Sequence, residues 1–242
     1  MSKNVSNFLT KLDKLSEKTI QVFVPSLKKK VPVKPLNLKQ QKDLISSVLD
    51  GLKGTLDFSK TINTIILDNF GIGDLKIYDK LPFIIAMRKD ALGDKVGDIS
   101  LQQVINNVKS IPLNIKDSKT IKHDNLKINL KIPTLRQENI LLAKCEQDIS
   151  VEDDQLKEGV GTLYLFELIK YIDSLEIDDN VLEMSEIRIN ERIKLAEKLP
   201  LHVYTEMSEF IEAINRYNND LLTVNDFELS VDSEFFDTSS TD

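Results

Sequence analysis

The period of the hydrophobic pattern changes along the chain, and this change constrains the fold more than any other feature. Between Thr19 and Val33 apolar residues alternate with polar ones on either side of a Pro25-Ser26 step, which predicts a β-hairpin. After Asn37 the apolar residues recur at helical spacing. Because both patterns leave one apolar face to be covered, the helices and strands must pack on each other, and we expect an α+β fold.

Three helices are predicted in the first half of the chain. Asn37 and Gln40 have the spacing of a capping box, so a helix should begin there, and Gly54 should end it. Two further helices are predicted at about 58–70 and 78–92, each followed by a glycine. With single apolar faces, these helices are expected to pack on one another or on the hairpin.

The middle of the chain alternates again and predicts a small central antiparallel sheet that ends near Pro133. Its strands are expected at 96–99, 111–115 and 126–132, whereas 101–108 fits either a short helix or an irregular strand. Later segments return to the helical pattern and predict helices at 163–175, 185–199 and 201–217. Ser185 is a suitable N-cap for the second of these, and Pro200 should separate it from the third.

These patterns divide the chain into four parts. They are an N-terminal arm (1–18), an α+β core (19–145), a C-terminal helical region (159–218) and an acidic tail (219–242), with an acidic linker at 146–158. The tail contains Phe227, Phe235 and Phe236. An isolated acidic tail cannot bury such rings, so we expect them to pack on this chain or on a partner.

The charge of the chain is distributed unevenly. The net charge is −7 and the isoelectric point about 5.1, so binding to nucleic acid has no overall electrostatic support. Lysines nevertheless cluster at 28–42, and all the charged residues after Arg216 are acidic. The cluster fits either a phosphate-binding surface or a face for an acidic partner. We favour the second, because opposite charges at the two ends suit docking on a neighbour or on another copy. The candidate partner-binding residues are Pro25, Ser26, Lys28, Lys29, Lys30, Lys34, Phe227, Phe235 and Phe236.

Residues that could perform chemistry are few. Cys145 is the single cysteine, which excludes an internal disulfide and a cysteine zinc cluster and indicates a reducing compartment. His123 and His202 lack the spacing of metal ligands, and Gly71-Ile72-Gly73 lacks the following residues of a phosphate loop. We therefore expect no catalytic, metal or cofactor site, and hence no enzyme.

Membrane insertion and export are not expected either. Charged residues interrupt the N-terminal segment, which lacks the apolar stretch of a signal peptide. The apolar run at 81–87 is far shorter than the roughly 20 residues that span a bilayer.

Two ordered blocks resemble a known family. The first is Val22-Phe23-Val24-Pro25-Ser26 with its basic turn, a strand and proline at 31–35, and a polar helix opening at 38–44. The second, at 83–96, is an apolar helix that ends in Arg88, followed by small or polar residues and a glycine before a strand. Both resemble the baseplate hub proteins of T-even-type contractile-tailed bacteriophages, and weaker similarity continues at 130–135 and at Phe235-Phe236.

The resemblance implies a structural or assembly component of the tail baseplate hub that acts through protein–protein interfaces. Its partners would be other tail baseplate or hub proteins, with self-association as a further option, and no cofactor or membrane. It would be found in the host cytoplasm during assembly and then in the virion tail baseplate. Two alternatives stay open: a transient tail-assembly chaperone absent from the mature virion, and a nucleic-acid-binding adaptor that uses the lysines at 28–42.

Overall fold

A computed structural model describes residues 18–47, 51–71, 75–148, 156–231 and 234–236 of the chain. The predicted N-terminal arm lies outside this part except for Lys18, and so does the acidic segment 149–155. Helices and small antiparallel sheets alternate along the described residues, which confirms the α+β fold.

The predicted hairpin is present. Strands β1 (Ile20–Val24) and β2 (Lys29–Val33) pair antiparallel around a turn at 25–28. The alternation places one valine set against the core, as the period of two requires: Val22, Val24, Val31 and Val33 are at most 4% exposed. Pro32 lies opposite Gln21, and the pair forms a two-stranded sheet of its own.

Helix α1 (Leu38–Ser46) begins with the predicted capping box. The Gln40 N–H donates to Asn37 Oδ1 over 2.9 Å, and the Asn37 N–H donates to Gln40 Oε1 over 3.2 Å. The predicted end at Gly54 is wrong, because this glycine is buried inside α2 (Gly51–Phe70) and α1 already ends at Ser46. A glycine costs a helix interior roughly 1 kcal/mol, which tertiary packing of a long helix can offset.

Helix α3 (Lys80–Leu92) is the most buried helix described in the first half of the chain. A 3₁₀ turn (Ile77–Asp79) precedes it, and Gly93, with φ +97°, ends it as predicted. Two short strands follow, β3 (Lys95–Val96) and β4 (Ile99–Ser100), so the single strand predicted at 96–99 is wrong, because a turn at 97–98 divides it into a hairpin. Helix α4 (Leu101–Ser110) comes next, so the segment at 101–108, which fitted either a helix or a strand, is a helix. The predicted strand at 111–115 is wrong, because this segment is extended but pairs with none of the described strands.

The main sheet has four antiparallel strands in the order β5-β6-β7-β8. They are β5 (Ser118–His123), β6 (Leu126–Lys131), β7 (Ile172–Ile177) and β8 (Asn180–Glu183). Two helices, α5 (Leu135–Asp148) and α6 (Leu156–Ile169), lie between β6 and β7 in the chain. The predicted helix at 163–175 is therefore wrong beyond Ile169, and the sheet resumes after Pro133 instead of ending there. The buried ladder of Ile121, Ile128 and Leu175 explains why: these residues complete one apolar face.

The C-terminal part contains two more helices and ends against the core. Helix α7 (Ile189–Ala196) is shorter than predicted, because Ser185 lies in a 3₁₀ turn (Met184–Glu186) and does not cap it. Helix α8 (Leu201–Leu222) follows Pro200 as predicted, but it extends into the predicted tail. A tight hairpin, β9 (Thr223–Val224) and β10 (Phe227–Glu228), and a 3₁₀ turn (Glu234–Phe236) complete the described residues.

One large apolar cluster connects these elements. It contains the hairpin valines, the buried face of α3, the main sheet, α8 and the two phenylalanines of the last turn. A smaller cluster, around the buried Cys145 of α5, joins α2, α5 and α6. The N-terminal hairpin and the C-terminal turn thus rest on the same core, which holds both of them in place.

Candidate partner-binding surface

The basic turn between β1 and β2 is the most exposed charged feature among the candidate residues. Lys28, Lys29 and Lys30 are all exposed, and Lys34 is exposed just after β2. The turn is closed by its own backbone, since the Leu27 N–H donates to the Val24 carbonyl over 3.2 Å. Lys28 takes a left-handed backbone conformation, with φ 51°. Three consecutive lysines, at the end of the turn and the start of β2, are therefore exposed to solvent.

Pro25 and Ser26 fix this turn to the core and contribute little exposed surface. Pro25 is buried, and the Ser26 N–H donates to Asp79 Oδ1 over 2.9 Å. Asp79 Oδ2 accepts a second backbone bond, from the Lys76 N–H, also over 2.9 Å. Asp79 is 0% exposed, and its burial raises the pKa of the carboxyl although these bonds oppose the rise. A buried carboxylate thus anchors the basic turn to the residues that precede α3.

The aromatic residues of the tail separate into two groups. Phe235 and Phe236 are each 1% exposed and pack edge to face at a centroid distance of 5.1 Å, with Phe58 of α2 also near Phe236. Phe227, in the β9–β10 hairpin, is 70% exposed. The tail rings were expected to pack either on this chain or on a partner, and Phe235 and Phe236 pack on this chain. Only Phe227 is accessible to a partner in the described structure.

A buried arginine fixes the last turn. Arg88 of α3 is 0% exposed, its Nε donates to the Phe235 carbonyl over 2.6 Å, and its guanidinium carbon lies 5.8 Å from the Phe235 ring centroid. Its other nitrogens reach the carbonyls of Gly93 and Lys95 at 3.3 and 3.4 Å. Burial lowers the pKa of Arg88, and the three carbonyls supply acceptors that solvent would otherwise provide. The arginine therefore joins α3 to the C-terminal turn.

A second buried charged cluster joins the two halves of the chain. Glu138 of α5 is 6% exposed and accepts from Lys80 over 2.6 Å, from Lys170 over 3.2 Å and from Asn63 over 2.8 Å. Burial disfavours the ionised carboxylate, but the two ammonium groups outweigh it and lower the pKa of Glu138 to about 2. Lys170 also pairs with Glu167 at 2.5 Å. This cluster is structural, since it crosslinks α2, α3, α5 and the end of α6.

The two histidines and the cysteine were the candidates for catalysis or metal binding. The fold brings His123 and His202 together at a ring-centroid distance of 3.9 Å, which their separation in sequence did not indicate. Cys145 is 0% exposed. Within the described residues no group of three or more histidine, cysteine, aspartate and glutamate side chains is placed to hold a metal ion. None of the helices in that part of the chain combines the length and apolar content needed to cross a bilayer.

Comparison with known proteins identifies the family. A family model described as T4 bacteriophage base plate protein matches residues 16–226, which include the basic turn, the main sheet and α8. No curated protein and no solved structure gives a match. Because the family model covers most of the sequence, the chain belongs to the T4-type bacteriophage baseplate protein family.

Proposed function

We propose that this chain is a structural component of the baseplate hub that remains in the virion and acts through protein–protein interfaces. Family membership makes it a baseplate protein of the phage tail, with other baseplate proteins as its neighbours. The hub position, retention in the finished tail, assembly in the host cytoplasm and the absence of a catalytic role belong to the proposal.

The observation that carries the proposal is the anchored basic turn. Lysines on a flexible segment lose conformational freedom when a partner orders them, which weakens binding. Here the backbone of the turn is already fixed by the Ser26 bond to the buried Asp79. Its lysines are exposed and form no ion pair with an acidic residue in the described part of this chain. A preorganised basic surface of this kind suits a specific contact with an acidic neighbour.

The packed C-terminal turn also supports a structural role over a transient chaperone. An unanchored acidic tail would suit a transient chaperone. Phe235 and Phe236 are instead covered by this chain and held by Arg88. Phe227 stays exposed, so it belongs with the basic turn as a candidate contact.

Quantitative mass spectrometry of purified tails and of isolated assembly intermediates tests the proposal. A hub component should occur in both, at a fixed low copy number relative to other baseplate proteins. Presence on the intermediates together with absence from finished tails would establish the chaperone instead. DNA binding that weakens with salt and is lost in a Lys28→Glu, Lys29→Glu, Lys30→Glu variant would establish the nucleic-acid adaptor.

A further inference from the structure

Strand β1 lies at the edge of its two-stranded sheet. Among the described strands it pairs only with β2, and Gln21 faces Pro32 in that ladder. Proline has no N–H, so this pair suits a non-hydrogen-bonded position. Because such positions alternate along an antiparallel ladder, Gln21 and Phe23 direct their backbone N–H and C=O groups away from β2. These unpaired groups are a template for an added strand.

A trough lies beside this edge. It has a volume of about 420 Å³ between β1, α3 and α4, and Pro82, Ala86, Ile105 and Val108 supply apolar lining. A second hollow of about 300 Å³ shares Phe23, Val108 and Lys109 with it and continues towards Pro25 and Lys28. Together the two hollows follow the full length of β1.

The trough carries an excess of positive charge. The titratable residues that line it are Lys30, Lys89, Asp90 and Lys109. Lys89 is neutralised by Asp94 at 2.5 Å, and Asp90 lies 3.7 Å from Lys18. Lys30 and Lys109 are exposed, and neither forms an ion pair with another residue in the described part of the chain. An occupant of this trough should therefore be extended, partly apolar and acidic.

A strand with these properties lies at one edge of the main sheet. Strand β8 is the last strand of the main sheet, all four of its residues are exposed, and Val181 is 56% exposed. The turn before it consists of Asp178 and Asp179, both with positive φ, and Glu183 ends the strand. In a two-residue hairpin with this geometry Asn180 is hydrogen-bonded to β7, so Val181 and Glu183 direct their backbone groups outwards.

We propose that β8 of one copy of this chain pairs antiparallel with β1 of a second copy, in the trough between β1 and α4. This inference rests on the proposed function, since it names a partner for the same basic hairpin. Opposing Phe23 with Val181 and Gln21 with Glu183 matches the outward backbone groups on both edges. The same register brings the acidic Asp178-Asp179 turn beside the lysine turn of the other copy. The contact joins two different surfaces, so copies add head to tail and form a ring where the rotation closes.

A charge-swap experiment on the full chain tests this pairing. One variant carries Lys30→Glu and Lys109→Glu, and the other carries Asp179→Lys and Glu183→Lys. Light scattering after size-exclusion chromatography should show concentration-dependent self-association of the native chain, weakened at least about tenfold in each variant alone and restored in their equimolar mixture. Lys194→Glu with Lys198→Glu is the matched control, because both lysines are exposed and lie at or just after the end of α7, outside the lysine cluster and the trough, and this variant should associate like the native chain. Far-UV circular dichroism confirms that each variant is folded.

The outcomes separate this inference from the proposed function. A native chain that stays monomeric at all concentrations, or variants that associate as the native chain does, would overturn the β1–β8 pairing. A monomeric native chain whose Lys30→Glu, Lys109→Glu variant is lost from tails would assign the trough to another baseplate protein and would also overturn it. Neither result contradicts the presence of this chain in finished tails. The proposed function itself would be refuted if the chain were absent from purified tails.

Discussion

Replacing Glu138 with glutamine should destabilise the fold substantially at neutral pH. Glu138→Gln preserves the size of the side chain and removes its charge, which leaves Lys80 and Lys170 without their shared counter-ion. The side chain of Lys170 is 8% exposed and that of Lys80 is 19% exposed, so water compensates only in part. Breaking such a buried pair typically costs about 3–5 kcal/mol.

The lowered pKa of Glu138 gives a second value for its contribution to the unfolding free energy, of the same order. A fall from its ordinary 4.5 to about 2 on folding corresponds to roughly 3 kcal/mol of stabilisation at pH 7. Because the pKa is lower in the folded state, this stabilisation is present above pH 4.5 and is lost as the pH falls towards 2. The remaining salt bridge from Lys170 to Glu167 reduces the loss in the variant, so about 3 kcal/mol is the expected value.

Urea denaturation followed by far-UV circular dichroism measures the effect. The difference in unfolding free energy between the native chain and Glu138→Gln should be about 3 kcal/mol at pH 7 and fall to about half of that near pH 3. Glu209→Gln is the control, because its side chain is 68% exposed and lies 3.5 Å from Lys119; the expected change is below about 0.5 kcal/mol. Two results would contradict this account. One is a loss of unfolding free energy below about 1 kcal/mol for Glu138→Gln at pH 7. The other is a difference in unfolding free energy between the two chains that stays the same at pH 3.

Three further substitutions test other contacts of the fold. Asp79→Ala leaves two backbone N–H groups without acceptors and should cost about 2–4 kcal/mol of unfolding free energy, with faster amide hydrogen exchange at 26–28. Arg88→Met should cost about 3 kcal/mol and expose 234–236 to proteolysis, because the Phe235 carbonyl loses its donor; unchanged cleavage would contradict this. Gly93→Ala meets no atom within 4 Å but keeps φ +97°, so thermal unfolding should reveal a purely conformational cost of about 1–3 kcal/mol.

The elements that could be predicted from the sequence are those with local causes. The period-two alternation of the hairpin and the capping box at Asn37 both depend on residues within a few positions of one another. Helix α5 also begins at a capping box, formed by Thr134 and Gln137. The Thr134 Oγ1 accepts from the Gln137 N–H over 3.2 Å, and the Gln137 Oε1 accepts from the Thr134 N–H over 2.9 Å. Such a capping box before an apolar run is a recognised helix start.

Strands β7 and β8 depend on distant partners and escaped prediction for that reason. The apolar residues before and after Lys170 continue one helical spacing, so the pattern alone does not show that the chain turns there. Pairing of β7 with β6, across two intervening helices, decides the conformation. Tertiary context often overrides the local preference in such ambiguous segments.

The charge of the candidate surface could be predicted from the sequence, but the buried residues that hold it in place could not. The exposed lysines could be identified from their clustering, whereas the carboxylate that anchors their turn, Asp79, lies 53 positions from Ser26. The pairing of Arg88 with the Phe235 carbonyl spans 147 positions. A buried charge has no periodic signature, because its partners are assembled only when the chain folds. The same limit explains why Phe235 and Phe236 could be assigned either to this chain or to a partner.

Incorporation of charge-reversed chains into tails tests the central claim most directly. Tails are assembled with equal amounts of isotope-labelled Lys28→Glu, Lys29→Glu, Lys30→Glu variant and unlabelled native chain, and the isotope ratio in purified tails is measured by mass spectrometry. If the basic turn is the docking surface, the variant should be depleted at least about tenfold. A Lys194→Glu, Lys198→Glu variant, whose lysines are exposed but lie outside the lysine cluster, should be incorporated equally with the native chain. Equal incorporation of the triple variant would contradict the claim.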